Sequence, residues 1–247
     1  MPNKDYDSQY YSRRSRPALS SAEALVPFLL ERFSPHSVVD IGSAEGAWLS
    51  VFKKRGVETI RGFDGPWGKK EDLLIPEEQF TVLDIETFQA PESERFDLAM
   101  SLEVAEHLHE KAADNLVRQL TRLSDRILFS AAIPGQGGLH HLNERPPAYW
   151  AEKFQDCGFT QLDILRPHFW DDDRIAWWYR QNFFLYENRI HKVSDEEISP
   201  EHSFGGAHLV HPDAFREKAE ELDIDNTSAR NLAKALAHRI SRRFLKK

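Results

Sequence analysis

Val38-Val39-Asp40-Ile41-Gly42-Ser43-Ala44-Glu45-Gly46, followed about one strand later by Gly62-Phe63-Asp64, decides how this chain folds. Val38, Val39 and Ile41 make a short apolar strand. Gly42 and Gly46 bracket a tight turn at its carboxyl end, where the lack of a Cβ lets the backbone pass close to a ligand. A helix begins at once, and the next strand ends in an acid, Asp64. Strand, glycine turn, helix and acid-tipped strand together build a nucleoside pocket at the edge of a parallel sheet.

The same alternation continues outward. Strands are predicted at 37–41, 59–64, 80–84, 96–102, 126–132 and 160–165, with helices near 46–55, 104–123 and 147–157. The aromatic run 176–187 reads as a last strand. Strands separated by helical segments imply an α/β, Rossmann-like fold with a mostly parallel seven-stranded sheet flanked by helices. Before it, Ser20-x-x-Glu23 has the capping-box pattern, so a helix is expected to start near Ser20 and to stop at Ser34-Pro35. The domain division that follows is a flexible arm over 1–18, a catalytic domain over 19–187 and a C-terminal extension over 188–247. The extension closes on a basic amphipathic helix near 227–245. That helix carries Arg230, Lys234, Arg239, Arg242 and Arg243, with Leu232, Leu236, Ile240 and Phe244 on one face. It offers a surface for a homo-oligomer or another docking contact.

Composition narrows the setting. The chain has 247 residues, a net charge of -8 and a single cysteine, Cys157, so no internal disulfide forms and a reducing, cytoplasmic compartment is expected. No apolar run approaches the ~18 residues of a membrane-spanning helix. The acidic balance argues against a nucleic-acid partner, whose binding surfaces are usually basic.

The turn itself discriminates among ligands. A dinucleotide site asks for G-x-G-x-x-G with backbone N–H groups cradling a pyrophosphate. Here Ala44 stands in place of the middle glycine, Asp40 precedes the turn, and Glu45 sits where phosphates need positive potential. That disfavours a nicotinamide-dependent oxidoreductase and suits a cationic ligand. Over about residues 36–165 the chain resembles the class I S-adenosylmethionine-dependent methyltransferases, whose first motif is a strand followed by D-x-G-x-G-x-G. The resemblance implies S-adenosylmethionine as cofactor, held by Asp40, Gly42, Ser43 and Gly46. It places Asp64 on the ribose hydroxyls and Asp84, with Ile85 beside it, near the adenine amino group.

Past the fourth strand, Leu102-Glu103-Val104-Ala105-Glu106-His107 spaces two carboxylates and an imidazole at i, i+3 and i+4. One helical turn would set all three on one face, a natural site for a divalent cation. After the fifth strand, Pro134-Gly135-Gln136-Gly137-Gly138-Leu139-His140-His141-Leu142-Asn143-Glu144 presents two more histidines on a glycine-hinged loop. The E-x-x-E-H turn is similar to that of metal-dependent O-methyltransferases, including small-RNA 2'-O-methyltransferases. That similarity implies metal ligation by Glu103, Glu106, His107 and one of His140 or His141. His141 is favoured because Asn143 and Glu144 beside it could hydrogen-bond it. Mg²⁺ or Mn²⁺ is favoured, and two imidazoles would also admit Fe²⁺, Co²⁺ or Zn²⁺. Glu106, His107 and His141 are then the expected catalytic residues, with His107 or the unused histidine as proton acceptor. Tyr149-Trp150, Phe169-Trp170 and Trp177-Trp178-Tyr179 are candidate substrate walls for a sugar ring.

The resemblance extends to a bacterial group of small-molecule methyltransferases, through 129–138, Asn143-Glu144 and Tyr149-Trp150. The expected activity is therefore O-methylation of a hydroxylated small molecule such as a sugar or nucleotide-sugar, in glycan or secondary-metabolite biosynthesis. The alternatives are an RNA 2'-O-methyltransferase and a non-catalytic adenosylmethionine-binding protein.

Overall fold

Alternate residues of each central strand face opposite cores, as a sheet covered on both sides requires. Val38, Leu98, Met100, Leu128 and Leu185 belong to one buried cluster, whereas Val39, Ile41, Ala99, Ile127, Phe129, Phe184 and Tyr186 belong to the other. These positions come from a computed structural model, which describes residues 8–66, 70–91, 93–191 and 209–222. Each fully buried aliphatic side chain contributes about 2 kcal/mol, so this two-sided burial dominates what holds the sheet.

The strands are β1 (Ser37–Ile41), β2 (Thr59–Asp64), β3 (Phe80–Val82), β4 (Leu98–Leu102), β5 (Arg126–Ser130), β6 (Phe159–Leu162) and β7 (Phe184–Asn188). They form one seven-stranded sheet in the order β3-β2-β1-β4-β5-β7-β6, in which β7 alone runs antiparallel to its neighbours. The expected α/β fold is observed. The first cluster is closed by α1 (Ser8–Phe33), α2 (Ala47–Lys54), α5 (Leu165–Phe169) and α6 (Trp177–Asn182), and the second by α3 (Ala113–Leu123) and α4 (Pro147–Asp156). In α3 the buried Leu116, Val117, Leu120 and Leu123 recur at helical spacing, which is why it lies flat on the sheet. Because β1 and β4 are adjacent and parallel, the turns leaving them open at the same sheet edge.

Several boundaries differ from expectation. Helix α1 begins at Ser8, inside the segment expected to be a flexible arm, and not at Ser20. The Ser20 hydroxyl donates to the Arg174 carbonyl at 2.7 Å and the Ser21 hydroxyl to the Pro17 carbonyl at 2.6 Å, so neither hydroxyl serves as a cap. The run 176–187 is not one strand: Trp177–Asn182 is helical and only the part from Phe184 joins the sheet. Tertiary packing of the aromatic rings overrides their strand preference there. The helix expected over 104–123 starts only at Ala113, after two 3₁₀ turns at Ala105–His107 and Glu110–Ala112. The Glu106 carbonyl is the cause. It accepts the N–H groups of Leu142 (2.7 Å) and Asn143 (3.0 Å), partners an uninterrupted helix would have supplied from its own next turn.

A second unit starts at Val210; its described part is α7 (Pro212–Leu222), where Asp213 pairs with Arg216 at 2.7 Å. The helix expected over 227–245 lies outside the described residues. Among the described residues no helix is long and apolar enough to cross a membrane.

Candidate active site

The first turn is built as the sequence requires. Gly42 takes φ +85, and a Cβ there would stand 2.2 Å from Val104 Cγ2. Its N–H and that of Ser43 donate to the Phe63 carbonyl at 2.7 and 3.1 Å, tying the turn to the end of β2. Gly46, at φ +82, opens α2 beneath Ile75. Between them Ala44 adopts φ 48, which costs an L-residue about 1–2 kcal/mol. Its N–H donates to Asp64 Oδ2 at 2.6 Å, a hydrogen bond to a charged group that returns about as much. The missing glycine thus leaves the turn geometry intact.

Asp40, Gly42, Ser43, Asp64, Asp84 and Ile85 line one cavity of about 920 Å³, at the carboxyl edge of β1–β4. The turn's Gly46 is the one expected cofactor residue that does not reach that wall. Asp40 is buried, and its Oδ1, like Ser43 Oγ, is buried without a hydrogen-bond partner among the described residues. Buried polar atoms in that state are ones that a bound water, ion or ligand would satisfy. Burial, reinforced by the nearby Asp64 charge, pushes Asp40 up to about 8. Burial also raises Asp64 to about 6, held down by the N–H groups of Ala44 and Gly65. A cation beside this edge would favour the ionised form of both carboxylates.

The Ala105–His107 turn, whose His107 lines the same cavity, meets the glycine-rich loop. The hydrogen bonds from Leu142 and Asn143 to the Glu106 carbonyl draw that loop in. His141 Nδ1 lies 2.8 Å from Glu144 Oε1, and the two imidazoles of His107 and His141 sit edge to face at 4.8 Å. Glu106, His107 and His141 each offer one ligand atom, all within 4.8 Å of one another, and Glu106 is fully buried. His107 also lines the cavity, as does His140.

Glu103, expected in the same ligand set, does not join that group. It sits at φ 55, outside the turn, with its N–H shared between the Ser130 carbonyl and hydroxyl. Its carboxylate accepts hydrogen bonds from Gln136 Nε2 at 3.1 Å and Asn182 Nδ2 at 3.0 Å, and it lines the cavity. A single helical turn carrying all three residues does not exist here. Gln136 and Asn182 went unread in the sequence; the only signal was the polar Gln181-Asn182 pair within an aromatic run. Of the proposed aromatic walls, Trp178 and Tyr179 reach the cavity, whereas Trp150 and Phe169 are buried in the cores.

A methyltransferase domain model matches residues 11–184, and the chain belongs to that family. No curated protein sequence matches significantly. Solved structures with the same fold include magnesium protoporphyrin IX methyltransferase from Synechocystis PCC 6803 with bound SAH, at 15% identity and TM-score 0.51, covering 70% of this chain and 84% of that one. The plantazolicin methyltransferase BpumL with SAH aligns at 16% identity and TM-score 0.52, covering 74% and 89%. DesVI of Streptomyces venezuelae aligns at 13% and 0.52, covering 76% and 99%. Fold, glycine turn and family agree: this is a class I S-adenosylmethionine-dependent methyltransferase.

The raised Asp40 sets a pH dependence. A carboxylate whose folded pKa exceeds its unfolded value keeps its full contribution to stability below about 4 and loses it as pH rises through about 8. A cationic ligand beside Asp40 prefers the ionised form, so its binding releases a proton. Calorimetric titration with S-adenosylhomocysteine should therefore show affinity climbing from pH 6 to pH 8, by at most about tenfold per unit, and levelling off above that. Affinity that falls over this interval would place the ammonium group elsewhere.

Proposed function

We propose that this enzyme transfers the methyl group of S-adenosylmethionine to a hydroxyl of a small molecule, with a divalent metal at Glu106, His107 and His141. The carrying observation is that His107 belongs both to that three-residue group and to the wall of the cavity. Asp40 would meet the cofactor's cationic end, Asp64 the ribose hydroxyls and Asp84 the adenine side; the partnerless Asp40 Oδ1 and Ser43 Oγ support that fit.

Two imidazoles and one carboxylate form a mixed donor set that suits Mn²⁺, Fe²⁺, Co²⁺ or Zn²⁺ better than Mg²⁺, which prefers oxygen. A bound ion would supply Lewis acidity, lowering the pKa of an acceptor hydroxyl. The chain's own residues do the rest. Glu144 fixes the His141 ring through Nδ1, leaving its other nitrogen for the group. His140, in the cavity wall but outside the three, would take the hydroxyl proton as the oxygen attacks the methyl carbon in line. Trp178 and Tyr179 would flank the acceptor. The fold leaves the acceptor open, since one architecture hosts many substrates; a free sugar or related polyol is the substrate class we favour. A cytosolic setting fits the single cysteine.

Elemental analysis of the purified protein, followed by turnover assays with and without EDTA, tests this. Activity is expected to vanish in excess chelator and return with Mn²⁺, while S-adenosylhomocysteine affinity stays constant. Undiminished turnover in EDTA would remove the metal from the mechanism and leave plain acid–base methyl transfer.

A further inference from the structure

The charge of the cavity wall is one-sided. Glu103 is part of that wall, and no lysine or arginine is among its described residues. Outside the glycine turn, the ends of β1–β3 and the three-residue ligand group, the wall holds two acids: Glu86, whose Oε1 lies 2.8 Å from the His109 N–H and 2.7 Å from its Nδ1, and Glu103. Two amide side chains from distant parts of the chain hold its carboxylate, Gln136 and Asn182, and Ser130 holds its backbone at φ 55. Backbone in that region persists only where its surroundings enforce it.

The element that anchors Glu103 also brings the aromatic surfaces. Asn182 follows Trp178 by four residues and Tyr179 by three, so all three share a face of α6. Trp178 and Tyr179 line the same cavity as Glu103. The ring of Tyr179 is braced by Phe183, stacked at 5.2 Å, and by Trp48, edge-on at 5.3 Å. A fixed carboxylate with rigid aromatic walls is the combination that recognises an organic ammonium group. A phosphate or carboxylate set against Glu103 would be repelled by its charge.

We infer that Glu103, Trp178 and Tyr179 form an acceptor subsite for a protonated amine, so that the hydroxyl compound methylated here carries an amino group. The inference rests on the cavity being the methyl-transfer site, and its test separates the two. The full chain, loaded with S-adenosylhomocysteine, is titrated by calorimetry at pH 7 with three probes on one skeleton: phenethylamine, 2-phenylethanol and phenylacetate. The ammonium probe should bind at least about tenfold more tightly than the carboxylate, with the alcohol between them. Glu103→Gln keeps the shape and one of the two amide hydrogen bonds, and should bring ammonium and carboxylate within about twofold of each other. Trp178→Leu should weaken the ammonium probe about fivefold. Equal affinities in the parent protein overturn the subsite, as does a Glu103→Gln variant that discriminates as the parent does. S-adenosylhomocysteine affinity is read first in every protein. If the parent does not bind it, the methyl-transfer reading itself fails. A loss of about tenfold confined to Glu103→Gln would instead assign Glu103 to the cofactor and overturn the subsite alone.

Discussion

Glu106→Gln is expected to lower turnover by about a thousandfold, roughly 4 kcal/mol of transition-state stabilisation, while S-adenosylhomocysteine affinity stays within about twofold. The substitution keeps the volume of a fully buried side chain and replaces one carboxylate oxygen by an amide nitrogen that cannot ligate a metal. The main-chain carbonyl of residue 106, which draws in Leu142 and Asn143, is untouched, so the loop stays in place. The two outcomes therefore separate chemistry from folding. If Glu106 merely packs between imidazoles, the amide serves as well and turnover is unchanged. Metal content measured on the same variant should fall with activity; full activity in a metal-depleted Glu106→Gln protein would refute the assigned role.

The second large effect is on cofactor binding. Asp64→Ala should weaken S-adenosylhomocysteine by at least about a hundredfold, because two effects add. The carboxylate that would meet the ribose hydroxyls disappears, at about 1.5–3 kcal/mol for a charged hydrogen-bonding group. The N–H groups of Ala44 and Gly65, both 2.6 Å from Asp64 oxygens, also lose their acceptor. Ala44 then retains its strained backbone without the bond that offsets it, and the turn relaxes. Asp64→Asn should fall between parent and alanine, since one amide oxygen can still accept. Alanine and parent proteins of equal affinity in titration calorimetry would contradict this placement of the sugar.

The architecture could be read from residues because its determinants are local. Continuous burial along Val38-Val39-Asp40-Ile41 and the positive φ at Gly42 and Gly46 are each specified within a few positions. The site was half legible for the same reason. Asp40, Asp64 and Asp84 sit at strand ends wherever the strands pair, so finding the strands located the acids. Glu103 was misplaced because its conformation depends on Ser130, Gln136 and Asn182, which no spacing rule connects to it. The turn after it is 3₁₀ because a loop about 36 residues on takes the Glu106 carbonyl. The aromatic run was half strand and half helix, a choice made by packing against Trp48 and not by propensity.

The loop carrying His141 has three glycines and looks slack on paper, yet Glu144 binds it shut. Its carboxylate accepts the N–H groups of Gly135 at 2.8 Å and Gly137 at 2.6 Å as well as contacting His141, while Gly138 leaves room that any Cβ would take, 2.2 Å from His141 Nε2. The imidazole is thus parked before anything arrives. Whatever the three side chains capture, little chain entropy remains to be surrendered at that moment, and the free energy of capture is left almost whole for affinity.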